Sequence, residues 1–284
     1  MRPARSRPPR LEVRVGESRP APAPTPELLV ERSKLAGAGV PGPGPTEFRR
    51  TVERLVLGDR RALGELAPME GLTAPDAWAA VTNAFGATAS AAVIDPARTV
   101  AAARAAAARV RAVAATGARI ALATSAPASL LTLHLAFAGL ARAAGAEVVD
   151  LADFGPIRAD GRTPRWLRWL GGVAVVSDGR ALCDTRDGEA AREWLFSIPR
   201  PALVVADGAF AEVACETGIE VVAFAGLDRL SLAVAAARGR GTIVPLHTDR
   251  PARAYGVIED LVDEPGPDPA VDLTAPSPPL DSEL

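Results

Sequence analysis

From Arg119 onward, short apolar runs alternate with helix-periodic stretches across short joins. That alternation leaves few folds open, because it is the pattern of a largely parallel sheet with helices on both faces. Ile120–Ala123 reads as a first strand, turning through Thr124-Ser125-Ala126-Pro127-Ala128-Ser129 into a helix over Ser129–Ala144, which Gly145 closes. Further strands are expected over Glu147–Leu151, Val173–Val176, Ala181–Cys183, Ala202–Ala206, Val221–Phe224 and Thr242–Val244. Helices are expected over Gly188–Phe196, Ala209–Thr217, Leu230–Arg238 and Pro251–Val262. Asp178-Gly179 between two apolar runs is a hairpin signal, so the sheet should be mixed.

Ahead of this alternation the sequence predicts a helical lead-in. Thr46 can cap a helix through Glu47–Leu57 that places Phe48, Val52, Leu55 and Val56 on one face. A second helix fits Pro75–Phe85, stopped by Gly86, and a third starts at the Asp95-Pro96 cap and runs toward Gly117. The expected fold is therefore a three-layer α/β domain over residues 46–264. Residues 1–45, dense in proline and arginine, and the acidic segment 265–284 are expected to be disordered, since neither offers enough apolar surface to offset ordering entropy. Within the arm, Glu27–Leu35 is the one stretch suited to a short helix.

Composition narrows the function classes. A 48% apolar content over 284 residues supplies a full core, and a net charge of −2 gives no electrostatic case for nucleic acid. No apolar run is long enough for a membrane span, and the arginine-rich start lacks the apolar segment of a signal peptide, so a cytoplasmic protein is expected. Cys183 and Cys215 form no CxxC pair and read as small core residues. With His134 and His247 as the only histidines, a poly-histidine metal centre is excluded.

In a parallel sheet the strand ends gather on one edge, where the next helix offers unpaired N–H groups to an anion. Those ends carry Thr124, Ser125 and Ser129, then Asp150 and Asp153, Asp207, Asp228, and His247 with Thr248 and Asp249. Hydroxyls at a helix start beside several carboxylates suit phosphoryl chemistry, with the carboxylates holding a divalent cation. Each residue also has a plainer role: Ser129 as an N-cap, Asp207 as the cap of the next helix, Asp178 as a turn residue, His134 as a packed core histidine. Arg162, Arg165 and Arg168 among Trp166 and Trp169 read either as a phosphate-reaching lid or as an amphipathic surface helix. No GxxxxGK[ST], GxSxG, HExxH or strand-following GxGxxG is present.

The segments LGELAPMEGLTAPDAWAAV, ALATSAPASLLTLH, VAVVSDGRALCDTRDGE, ALVVADGAFAEVACETGIEVVAF and TIVPL together resemble the actinobacterial family called phosphatase. The resemblance spans about Thr46 to Val262. In the family's first loop, Ala-Thr-Gly-His-Pro-Gly-Gly, Thr124 and Pro127 match, as does His134 further on, while Ser125, Ala126, Ala128 and Ser129 replace the glycines and histidine. Asp178, Asp184 and Arg186 stand in a hairpin that carries histidines in the family, and Gly208 follows the shared Asp207 where histidine is usual. The resemblance implies a phosphatase-like hydrolase for a small phosphorylated metabolite, or a ligand-binding relative that kept the fold without the reaction. For the first, Thr124, Ser125 and Ser129 would hold phosphate. Asp207, Asp178 and Asp184 would bind magnesium or manganese, with Asp207 and His247 as catalytic groups.

Overall fold

A computed structural model describes residues 23–40, 42–157, 164–186 and 188–265. Among the described residues five helices precede the first strand: α1 (Pro26–Arg32), α2 (Pro45–Val56), α3 (Arg60–Leu63), α4 (Ala74–Phe85) and α5 (Pro96–Ala114). The alternating region then gives β1 (Arg119–Ala123), α6 (Pro127–Ala143), β2 (Glu147–Val148), β3 (Phe154–Ile157), β4 (Arg165–Leu170), β5 (Val173–Ser177) and β6 (Leu182–Cys183). It continues through α7 (Gly188–Ser197), β7 (Leu203–Asp207), α8 (Gly208–Glu216), β8 (Glu220–Ala225), α9 (Leu230–Ala237) and β9 (Gly241–Pro245). A 3-10 turn over Ala252–Tyr255 and α10 (Gly256–Asp263) close the described chain.

The strands form one mixed sheet in the order β3-β4-β5-β1-β7-β8-β9, with β2 added to β1 and β6 to β5. From β5 through β9 that order is parallel, and β3, β4 and β6 are the antiparallel members. β5 and β7 are buried at every position, as apolar runs covered on both faces require. α1, α5, α6 and α10 pack together on one face, while α7, α8 and α9, with α2 to α4 against α9, form the other layer. The α/β expectation holds, and the Asp178-Gly179 hairpin joins β5 to β6 as expected.

Local chemistry explains the lead-in. Thr73 and Asp76 make a reciprocal capping box at the start of α4, and Gly86 ends that helix at φ 76°. Asp95 accepts the Ala97 amide at the start of α5, with Pro96 in its first turn. Two expectations are corrected here. Gly44, not Thr46, stands at the cap of α2. Within the segment expected to be a disordered arm, the short helix expected over Glu27–Leu35 forms as α1, and its Val30, with Leu35 and Ala36 behind it, is fully buried against α5 and α10, so ordered structure starts before residue 46. Apolar burial there outweighs the flanking prolines. Residues 1–22 and 266–284, and with them the rest of the expected arm and tail, lie outside the described residues.

RWLRWL is corrected as well: it is a strand, β4, and neither helix nor lid. Leu167 and Trp169 are buried on one face while Arg168 points away to Asp153 at 3.0 Å, the two-residue alternation of a half-covered strand. Arg162 falls outside the described residues. Among the described residues no helix is long and apolar enough to cross a membrane.

Candidate active site

The chain reverses direction across the sheet between β1 and β7. From β1 it moves toward β2 and β5, and from β7 it moves the other way to β8 and β9. At such a switch point the following helices, here α6 and α8, leave on opposite faces and open a crevice beyond the strand ends. A cavity of about 750 Å³ occupies that crevice. Ser125, Ser129, Asp184, Asp207, Asp228 and His247 contribute to its lining, as do Arg186, Arg229, Thr248 and Asp249. Gly42 and Pro43 from the lead-in also reach it.

Most of the expected residues therefore meet, but in different roles. Thr124 is fully buried, does not line the cavity, and accepts the Ala126 amide through its Oγ1 at 3.1 Å. It braces the turn and does not face a ligand, which corrects the phosphate-binding assignment. Ser125 is tied down at each polar atom. Its N–H donates to Asp207 Oδ1 at 2.9 Å, its hydroxyl donates to the Asp207 carbonyl at 3.1 Å, and its carbonyl accepts the Thr185 amide at 2.8 Å. Ser129 is not the cap of α6, which is Ala126 with no side-chain cap bond; it sits in the first turn and faces the cavity.

Asp178 does not line the cavity. Its Oδ1 accepts the Arg180 and Ala181 amides at 2.8 Å each, and these bonds hold its carboxyl below the usual range. It is a turn residue, as its Asp-Gly setting allows. Asp150 and Asp153 are likewise spent on Arg142 and Arg168. Among the described residues no three His, Cys, Asp or Glu side chains are grouped to hold a metal ion. Asp178, Asp184 and Asp207 are therefore not gathered into a metal-holding group among the described residues. Cys215, buried with its thiol pushed up to about 12 chiefly by desolvation, is an unreactive core residue.

The functional features missed in the sequence are long-range. Arg229 heads α9 and donates from Nη1 to Glu212 Oε1 at 3.0 Å. Glu212 is 1% exposed and also accepts the Glu65 amide at 3.0 Å, so the guanidinium is anchored from behind where it reaches the cavity. His134, on α6, sets Nε2 at 3.5 Å from Asp207 Oδ2. His247 is held by its backbone. Its N–H donates to the Leu35 carbonyl at 2.9 Å, and its carbonyl accepts the Tyr255 hydroxyl at 2.8 Å. Desolvation, then Arg250, push its imidazole below the ordinary 6.5, so the ring is neutral at pH 7.

Three helices, α6, α8 and α9, begin at this cavity, and none carries a side-chain cap bond. Unpaired first-turn N–H groups and the helix dipole make each start a partial positive charge. With Arg186 and Arg229 beside them, the arrangement suits an oxyanion, and the neutral His247 can exchange a proton next to it.

A family model described as Phosphatase matches residues 32–263. A Streptomyces coelicolor protein named as a phosphatase is 32% identical over 151 residues. That alignment covers 51% of this chain and 56% of the relative, so the match spans about half the length of that protein. No solved structure matches.

Proposed function

Because the chain belongs to the Phosphatase family, we propose that its cavity is the site of a phosphoric-ester hydrolase acting on a small phosphorylated metabolite. The observation that carries this reading is the convergence of three helix starts without side-chain caps on one crevice. The phosphate would lie against the first turns of α6 and α8, with the Ser129 hydroxyl and the Arg229 and Arg186 guanidinium groups completing its shell. Asp184, Asp228 and Asp249 line the cavity wall, and their carboxylates can accept hydrogen bonds from hydroxyl groups on the alcohol portion of the ester. Water attacking phosphorus passes its proton to His247, and the leaving oxygen takes a proton from solvent. His247 does this while neutral, so activity is expected to fall as pH drops and the imidazole is protonated.

A second reading, binding without turnover, is supported by Asp207. Its carboxyl lies 2% exposed and is engaged with Ser125, not presented to a ligand. Phosphate release from a panel of sugar, polyol and nucleotide monophosphates, run with chelator and with magnesium or manganese, separates the two. The hydrolase reading expects release that drops by about 100-fold or more in His247→Ala. Stabilisation by an intact ester without its consumption supports the binding reading; a ligand at 100 times its Kd adds about 2.7 kcal/mol. Neither release nor stabilisation removes both.

A further inference from the structure

We propose that His134 is a positioning residue for the anion cradle. Its Nε2 lone pair accepts the proton of a neutral Asp207 carboxyl group, whose other oxygen fixes the Ser125 amide. The role of the cradle rests on the phosphate reading above, whereas the proton arrangement stands apart from it.

The tautomer follows from one contact. His134 Nδ1 lies 2.9 Å from the Leu130 carbonyl oxygen, and a carbonyl oxygen can only accept. Nδ1 therefore carries hydrogen, which leaves Nε2 of the neutral ring as a bare lone pair. That atom faces Asp207 Oδ2 at 3.5 Å, and neither atom has another hydrogen-bond partner. The two side chains are 0% and 3% exposed, and a separation of 3.5 Å leaves no room for a water between the two atoms. Two facing lone pairs in such a place repel, and a single shared proton turns the repulsion into an attraction.

Where the proton sits is set by the surroundings. Burial disfavours both ionised forms, pushing the Asp207 carboxyl up and the His134 imidazole down. Phe224 stacks edge-on to the imidazole with ring centroids 5.0 Å apart and offers no hydrogen bond to an imidazolium. The other ionisable groups whose fields reach Asp207 are Arg229, which is committed to Glu212, and the Tyr255 phenol. Thr124 and Ser125 favour the carboxylate, but burial is the larger influence.

The mechanical consequence concerns both helix starts. Asp207 ends β7 and stands at the cap of α8, and it grips α6 at two points, through the Ser125 amide just before the helix and through His134 within it. Gly208, at φ +51°, permits this close approach, since a Cβ there would fall 2.6 Å from Ser125 Oγ. The pair therefore fixes the spacing of the two first turns that face each other across the crevice.

The test uses the full chain with inorganic phosphate as probe. Asparagine reproduces the neutral acid: its amide N–H can donate to Nε2 while its carbonyl accepts from Ser125. Asp207→Ala is expected to weaken phosphate binding about tenfold or more, with Asp207→Asn recovering most of that loss. Nitrogen NMR of the wild-type His134 ring at pH 7 is expected to show the neutral, Nδ1-protonated form. An imidazolium spectrum at pH 7, or an Asp207→Asn protein as weakened in melting temperature as Asp207→Ala, overturns the proposal. If the wild type binds no phosphate, the reading of the cavity fails, while the ring spectrum and the Asn-against-Ala melting comparison still decide the proton arrangement.

Discussion

The helices of this molecule begin in two ways. In the lead-in, α1, α3, α4 and α5 start on Thr25, Asp59, Thr73 and Asp95, each of which accepts a first-turn amide of its own helix. At the strand ends, α6, α8 and α9 start on Ala126, Asp207 and Arg229, and no side chain closes them. The lead-in exception, α2 with Gly44 at its cap, follows directly on Gly42 and Pro43, which line the cavity. A capped helix has met its own needs and contributes stability. An uncapped one leaves donors for a ligand, and the starts of α6, α8 and α9 share a single crevice; α10, also without a side-chain cap, continues directly from the 3-10 turn and lies outside it.

The two classes should respond differently to mutation, and the largest difference is expected at Arg229. Arg229→Ala leaves Glu212 buried without its partner, which should cost about 3 kcal/mol in chemical denaturation and weaken phosphate binding as well. A loss of stability with phosphate affinity intact would remove Arg229 from the site. Next comes Gly208→Ala. A positive φ and contact with Ser125 should together cost about 2 kcal/mol, with phosphate binding weakened because the α8 start is displaced.

The pH response of the His134–Asp207 pair follows from its proton count. Folding lowers the His134 value below 6.5, so by itself that group makes stability fall as pH drops through 6.5. Folding raises the Asp207 value above 3.8, so by itself that group makes stability fall as pH rises from 3.8. Between these values the folded and unfolded pairs each hold one proton, and the two slopes cancel. Above pH 6.5 the unfolded pair holds none, while the folded pair as proposed keeps its one shared proton. Wild-type stability should then decline by roughly 1 kcal/mol per pH unit relative to Asp207→Asn, a comparison in which the titration of His247 cancels. Parallel denaturation curves for the two proteins above pH 6.5 would contradict a proton-sharing pair.

The smallest effect belongs to the capped class. Thr73→Ala should lower stability by about 1 kcal/mol through loss of the capping box and leave phosphate affinity unchanged. If it alters phosphate binding, the division between the two kinds of helix start is wrong.

The parts of this division that are local are legible in the sequence. Apolar runs mark β1, β5, β7 and β8, and the Asp95-Pro96 cap marks α5, because burial and capping leave their pattern within a few residues. The strand-end rule by itself puts Ser129, Asp207 and His247 on one rim. Contacts across long stretches of chain are invisible to such reasoning. Arg229 is set by Glu212, and His134 by an acid on another strand; neither partner leaves a mark on the sequence around it. RWLRWL misleads because its repeat of three mimics a helix face, and only pairing with β5 selects the strand. The short helix within Glu27–Leu35 is legible, but its docking on α5 and α10 is not, because those packing partners lie far along the chain.

Amide NMR during titration with inorganic phosphate tests the central claim most directly. Saturable shifts are expected at the first turns of α6 and α8 and around Arg229, with the Thr73- and Asp95-capped starts of α4 and α5 left in place. Shifts spread equally over capped and uncapped starts, or none at the crevice at saturating phosphate, would contradict it.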